Sequence, residues 1–263
     1  MLIKPKKSLG QNFLIDKNII RYIADIAEIN KNDTLLEIGP GTGNLTKELL
    51  LKKPKKIIVV EKDKNLSKEL KNNFNNQIQI LNEDILKIDE EILSKEKMIF
   101  FGNLPYNISS QILIKWIKLK NLNSICKKLI LMFQKEVADR IISKFNNQNY
   151  SRISILSSWR FEIKKVKEIS PNSFYPKPKV KSCLLLLEPK KSFFNFKNPK
   201  NLEYITKVFF NQRRKMINKP MSQLFKDINY VSKKLNINLN DRPQNLDPLT
   251  YFKLCKEYEN KLN

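Results

Sequence analysis

The chain has 263 residues, with 50 Lys plus Arg against 26 Asp plus Glu, no histidine and a formal charge of +24. A hydrophobic content of 41% supports a packed core, and no apolar stretch approaches the ~20 residues of a membrane-spanning helix. Cys126, Cys183 and Cys255 stand far apart with no Cys-x-x-Cys and no histidine, which argues against a zinc site or a disulfide framework and for reduced, buried thiols. The charge calls for a polyanionic partner, nucleic acid first, and the short basic start, Met1 to Lys7, does not read as a signal peptide. A cytoplasmic, monomeric protein with no membrane contact and no metal is expected.

In chain order, Asn18 to Ile29 carries apolar residues at helical spacing, and Asp33 to Ile38 is a short buried-strand run that ends at glycines. A helix follows over Leu45 to Leu51, a strand over Lys56 to Glu61, and a polar helix over Asn65 to Asn72. Further strands are predicted at Gln77 to Leu81, Lys97 to Leu104 and Lys128 to Gln134, with helices at Ser110 to Lys118 and Glu136 to Lys144. Strand and helix alternating with short connections predict a mostly parallel sheet covered on both faces. Ser158 to Val166 and Lys181 to Glu188 read as strands joined by a hairpin-like return through Pro171, Pro176 and Pro178. Lys190 to Lys200 reads as a linker. Beyond it, Leu202 to Phe210, Ser222 to Phe225 and Thr250 to Tyr258 read as helices. The expected division is an α/β domain over 1–190 and a small helical domain over 195–263.

Only five glycines occur where average usage of about 7% would give roughly 18, and all lie within the first 102 residues. Glycine is hardest to replace where φ is positive or where backbone presses on a ligand, so Gly10, Gly39, Gly41, Gly43 and Gly102 point to a site. Gly39-x-Gly41-x-Gly43 ends a strand and opens a helix, as a nucleotide-binding loop does, but it lacks both the dinucleotide spacing and a Walker lysine. Glu61 ends the second strand and Asp84 closes the third, at the carboxyl edge where open α/β sheets bind ligands. Asn103-Leu104-Pro105-Tyr106 ends the fourth strand. The segment resembles the motif of methyltransferases acting on exocyclic amino groups. That resemblance implies that an acceptor on Asn103 and the Leu104 carbonyl would hold the two N–H groups of an adenine amine, while Tyr106 offers a face for an extruded base. Stacking of that kind uses only the ring, so Tyr106→Phe is expected to be mild.

Glu37-x-Gly39-x-Gly41-x-Gly43 resembles the first motif of class I (Rossmann-like) S-adenosylmethionine-dependent methyltransferases, and Asn103-Leu104-Pro105-Tyr106 is similar to the motif of amino-group methyltransferases. With Lys7-Ser8-Leu9-Gly10-Gln11-Asn12-Phe13-Leu14, Gln134-Lys135-Glu136-Val137, Phe174-x-Pro176-x-Pro178-x-Val180-x-Ser182 and Phe210-Asn211-Gln212-Arg213-Arg214-Lys215, the chain resembles the ribosomal RNA adenine dimethyltransferase family from about residue 6 to its end. The resemblance implies S-adenosylmethionine as cofactor, held by Asn12, Leu14, Gly39, Glu61, Asp84 and Asn103. It implies Asn103, Leu104 and Tyr106 at the target base. Arg213, Arg214 and Lys215 would contact RNA, and the substrate would be small-subunit rRNA within a pre-30S particle, dimethylated at two adjacent adenines of its 3′-terminal hairpin. A large-subunit rRNA or DNA adenine methyltransferase, and a ribosome-assembly binding factor with secondary catalysis, are the alternatives. Pro220 departs from the family pattern, and a broken or bent helix is expected there.

Overall fold

The computed structural model describes residues 5–6 and 9–261; Lys7 and Ser8, which open the first motif, lie outside the described residues. Its contacts divide the chain into two compact units, one of Met1–Ala138 with Glu162–Pro189, the other of Asp139–Phe161 with Lys190–Asn263. The segment Asp139–Phe161, counted within 1–190 in chain order, thus clusters with the C-terminal residues.

The first unit opens with a two-residue strand, β1 (Phe13–Leu14), and a helix, α1 (Lys17–Ile26). There follow β2 (Thr34–Ile38), α2 (Asn44–Leu51), β3 (Lys56–Val60), α3 (Lys64–Phe74), β4 (Gln79–Leu81), β5 (Met98–Asn103), α4 (Ser109–Ile117), α5 (Leu122–Ile125), β6 (Cys126–Gln134) and α6 (Lys135–Ile141). After α7 (Arg152–Arg160), which belongs to the second unit, come β7 (Phe161–Ile169), β8 (Phe174–Tyr175) and β9 (Ser182–Pro189). Aspartates start two of the helices. Asp16 accepts from the amides of Asn18 and Ile19, and Asp63 from that of Asn65, satisfying donors that have no partner within the helix.

Seven strands form one sheet in the order β4-β3-β2-β5-β6-β9-β7. The pairs β3–β4, β2–β3, β2–β5 and β5–β6 are parallel, and β6–β9 is antiparallel. Every residue of β2 is buried, as is β5 from Met98 to Phe101, which explains why both read as unbroken apolar runs without alternation. The chain steps outward from β2 to β4 and then returns to place β5 on the other side of β2. That reversal makes a switch point between β2 and β5, where Ile38 lies opposite Gly102. The glycine loop and the Asn103 loop leave the sheet side by side there. β7 and β9 are neighbours, as the hairpin-like return requires.

Two of the expected segments are redrawn. Residues 158–160, read as the start of a strand, close helix α7, and the strand begins at Phe161. Helix α7 is buried on nearly all sides, so its Ile, Ser and Trp residues carry no amphipathic period. The Lys190 to Lys200 segment has no regular structure until Pro199, yet it is packed: Trp159 Nε1 donates to the Phe194 carbonyl at 2.8 Å, and the Phe193 and Phe196 rings lie 6.2 and 5.0 Å from its ring. Its aromatic residues, rather than flexibility, define it.

The second unit is completed by α8 (Pro199–Phe210), α9 (Asn218–Leu224), α10 (Ile228–Leu235) and α11 (Pro248–Lys261). Glu259 on α11 accepts from the Lys197 and Asn198 amides and from Asn201 Nδ2, each at 3.0 Å, and so fixes the start of α8. Pro220 does not break a helix. It is the third residue of α9, within the first turn, where a missing N–H costs no hydrogen bond.

Candidate active site

The ends of β2, β3 and β5, the turn after β4 and the strap 9–14 enclose one cavity in the first unit. Asn12, Leu14, Gly39, Glu61, Asp84, Asn103, Leu104 and Tyr106 all line it, together with Ile38, Val60, Ile85 and Leu86. Eight residues named from sequence, spread over 95 positions (12 to 106), are therefore brought to one place. Arg213, Arg214 and Lys215 belong to the second unit, after α8.

The glycines separate into two kinds. Gly39 has φ +65, and a Cβ there would have its nearest neighbour, the Asn103 carbonyl, at 3.9 Å. The space beside it is open, as close approach of a ligand to backbone requires. At Gly41 and Gly43 a Cβ would come within 2.7 Å of the Phe13 ring and 2.5 Å of the Phe74 ring. Those two positions are closed by the protein's own packing.

Glu61 is 6% exposed, and burial pushes its carboxyl up from the ordinary range against the pull of backbone donors. Oε1 accepts from the Asp63 amide at 2.8 Å and Oε2 from the Gly41 amide at 3.3 Å. With the Lys62 amide also acting on the carboxylate, at least one lone-pair position stays open to a further donor. Asp84 lies three residues beyond β4, and both its oxygens are engaged: Oδ1 with the Leu86 amide at 3.0 Å, Oδ2 with Lys62 Nζ at 2.8 Å. The hydrogen bond and charge of Lys62 hold its carboxyl below the usual range.

Asn103 Nδ2 donates to the Asn12 carbonyl at 2.7 Å, which orients the amide and leaves Oδ1 with no donor among the described residues. The buried Leu104 also has no donor to its carbonyl among these residues. Tyr106 is half-buried; burial raises its phenol, whose oxygen lies 2.6 Å from Ser182 Oγ. The arrangement offers two consecutive acceptors beside an aromatic ring. It contains no strong base.

Several contributors escaped sequence reasoning. Phe13 covers Gly41, Asn44 Nδ2 donates to the Leu14 carbonyl at 2.9 Å, and Lys6 and Gln11 fasten the strap to Asp63 at 2.8 and 3.1 Å. Only the composition of the Gln11-Asn12-Phe13-Leu14 motif hinted at them. Glu37, 2% exposed, accepts from Thr46 Oγ1 at 2.7 Å, and burial pushes its carboxyl up to about 7. Its folded pKa exceeds the unfolded one, so the folded state binds more protons between pH 4.5 and 7 and loses stability as pH rises through that window. Glu37→Gln is expected to remove about 3 kcal/mol of that pH dependence, taking about 1.4 kcal/mol per pKa unit. Urea unfolding of both proteins at pH 5 and pH 8 measures it, and equal pH dependence in the two would refute the assignment.

None of the helices among the described residues is long and apolar enough to cross a membrane, and no group of three or more Cys, Asp or Glu there is arranged to hold a metal ion. The three cysteines are buried and in no disulfide.

The chain is 57% identical over 259 residues to ribosomal RNA small subunit methyltransferase A of Pelagibacter ubique, covering 98% of each protein. It is 41% identical over 251 residues to the protein of that name from Francisella tularensis subsp. novicida, covering 92% of this chain and 93% of the relative. Among solved structures, a dimethyladenosine transferase from Plasmodium falciparum superposes with a TM-score of 0.81 at 28% identity, over 95% of this chain and 98% of the other. The 23S rRNA methyltransferase ErmE shares the fold, with a TM-score of 0.69 at 23% identity over 95% of this chain and 100% of the other. The model of the ribosomal RNA adenine dimethylase family matches residues 3–260, and the chain belongs to that family.

Proposed function

We propose that the chain uses S-adenosylmethionine to dimethylate the exocyclic amino groups of two adjacent adenines in the 3′-terminal hairpin of small-subunit rRNA, acting as a cytoplasmic monomer on a pre-30S particle. The observation that carries the chemistry is the orientation of Asn103: its amide N–H is spent on the Asn12 carbonyl, so Oδ1 remains as an acceptor next to the acceptor of Leu104. An adenine amine is nearly planar because its lone pair is delocalised into the ring. Two acceptors that hold its N–H groups favour the pyramidal, nucleophilic form, and Tyr106 provides the stacking face that keeps the extruded base in position. When bound, S-adenosylmethionine supplies a methyl group on a positively charged sulfur. The amine loses its proton only as the new N–C bond forms, so the residues need to bind, orient and exclude water, with no strong base.

The lining fits that cofactor. The open backbone face at Gly39, the buried Glu61 with an acceptor position still open, and the apolar wall of Ile38, Val60, Ile85 and Leu86 suit an amino acid moiety, a ribose diol and an adenine. Asn12, Leu14 and Asp84 complete the proposed cofactor contacts. Each Asp84 oxygen accepts one hydrogen bond and keeps a lone pair for another, which suits a place beside the adenine amine. The test is incubation of the protein with labelled cofactor and unmethylated small subunits, followed by mapping of the label. Dimethyladenosine at two adjacent positions near the 3′ end is expected; label confined to large-subunit rRNA or DNA would overturn the substrate assignment.

The helical unit is proposed to contact RNA through Arg213, Arg214 and Lys215. Arg213 has a second task, because its guanidinium donates to Gln244 Oε1 at 3.2 Å and to the Gln148 carbonyl, joining two loops. Arg214 and Lys215 are exposed. Replacing these two with alanine is expected to lower the slope of log K against log salt by about 2 with little change in stability. Arg213→Ala is expected to cost stability as well. Titrations of rRNA binding between low and moderate salt measure the slopes, and an unchanged slope in Arg214→Ala/Lys215→Ala moves the RNA contact elsewhere.

A further inference from the structure

The segment Phe174 to Ser182 stands out in the sequence but has no part in the chemistry described so far. In the structure its two ends reach the two halves of the site. Phe174 and Tyr175 pair antiparallel with Leu14 and Phe13 of the strap that lines the cavity. At the other end Ser182, fully buried, begins β9 opposite Gln134, and its Oγ lies 2.6 Å from the Tyr106 hydroxyl. The backbone just before it is pinned where the Lys135 amide donates to the Lys181 carbonyl at 2.9 Å. Ser182 is therefore a fixed point on the sheet. Tyr106, by contrast, sits on the loop between β5 and α4, held by the bond from Ser109 Oγ to its own carbonyl at 3.2 Å and by a turn from Pro105 to Ile108. Those bonds hold its backbone. Among the described residues, the hydrogen bond that anchors the far end of the ring is the one to Ser182.

We infer that Ser182 is a positioning residue for methyl transfer: by sharing a hydrogen bond with the Tyr106 hydroxyl, it ties the ring to β9 and keeps its face presented to the extruded adenine. The inference rests on the proposed role of Tyr106 as the stacking face. It also changes an expectation, because the ring alone no longer suffices. Tyr106→Phe keeps the stacking surface but releases it from the sheet, so a preorganised platform becomes a mobile one. A mobile ring has to be ordered each time a base is captured, and that cost falls on the encounter with RNA.

The test is a double-mutant cycle of Ser182→Ala and Tyr106→Phe, read as kcat/KM for unmethylated small subunits, with cofactor affinity measured by calorimetry on each protein. Each single variant is expected to lose roughly three- to tenfold in kcat/KM, the worth of one hydrogen bond. The double variant is expected to lose no more than either single one, because both remove the same link. Cofactor affinity is expected to stay unchanged, which a general loosening of the site would not allow. Wild-type kcat/KM in a folded Ser182→Ala protein, or losses that multiply in the double variant, would overturn the inference. If Ser182→Ala does not fold, Tyr106→Phe tests the same bond from its other end, and a wild-type rate there overturns it equally. Tyr106→Ala separates the two levels of the argument. A normal rate in that variant removes the stacking role itself, whereas a large loss alongside a normal Ser182→Ala removes only the positioning role.

Discussion

Asn103→Ala is expected to lower single-turnover methyl transfer on the order of a hundredfold to a thousandfold, by analogy with removing one oxyanion-hole donor. In its proposed role the Asn103 oxygen would act on charge that develops at the target nitrogen, so its loss would be felt in the transition state more than in the bound substrate and would appear in the rate. The same side chain also donates to the Asn12 carbonyl at 2.7 Å, which ties the strap to the end of β5. A modest loss of cofactor affinity is expected with the rate effect, of the size of one neutral hydrogen bond, about 1 kcal/mol. Asn103→Asp divides the two effects. It keeps an acceptor for the amine but sets a carboxylate oxygen against the Asn12 carbonyl, so strap and cofactor affinity suffer more than in the alanine variant. Single-turnover kinetics with pre-bound small subunits, paired with calorimetry, measure both quantities. A folded Asn103→Ala protein that methylates at a near-normal rate would remove the central claim.

Glu61→Ala should weaken S-adenosylmethionine binding tenfold or more while leaving RNA affinity close to normal. The carboxyl is buried and, beside the Gly41, Asp63 and Lys62 amides, keeps an acceptor position for a ligand donor. Hydrogen bonds to a charged acceptor are worth roughly 1.5–3 kcal/mol each, so even one lost ribose contact reaches tenfold. Part of the loss is indirect, since the Gly41 and Asp63 amides lose their acceptor and the glycine loop is no longer fixed to the end of β3. Glu61→Gln keeps an acceptor oxygen for one of these amides and is expected to fall between wild type and alanine. Calorimetry that finds unchanged cofactor affinity in a folded Glu61→Ala protein would refute the contact.

The parts of the fold that were legible in the sequence are those with strong local signals. Buried parallel strands such as Leu35-Leu36 and Ile57-Ile58-Val59-Val60 announce themselves as apolar runs, and the chain's five glycines mark where backbone is confined. What stayed hidden is non-local or lacks a period. The β1–β8 pair has two residues on each side, joined across more than 150 positions, and nothing in either segment encodes the partner. Helix α7 is buried on nearly all sides and so has no polar face to set a rhythm. Helix α10 was missed although its ends are readable, with Asp227 accepting from the Tyr230 amide at 2.8 Å and Asn236 in the left-handed region; it is short, and only Val231 of its apolar residues is buried. In the site, the residue types were readable at strand ends. The hydrogen bonds that aim them, from Asn12, Ser182 and Lys62, depend on the fold and could not be.

The discontinuous make-up of the helical unit limits how the chain can be divided. A polypeptide ending at Pro189 would keep α7 but lose Phe193, Phe194 and Phe196, the aromatic neighbours and carbonyl acceptor of Trp159. Trp159, 2% exposed in the intact protein, would then meet solvent with its indole N–H unpaired, together with the ring of Tyr150, which packs on Phe210. Trimming from the C-terminus alone would thus create a sticky aromatic surface and invite aggregation. A chain reduced to the first unit, or a hybrid that borrows its helical unit from a relative, requires two cuts: one exchange over residues 139–161 and another from 190 onward. Recombination between relatives has to move both segments together to yield a folded product.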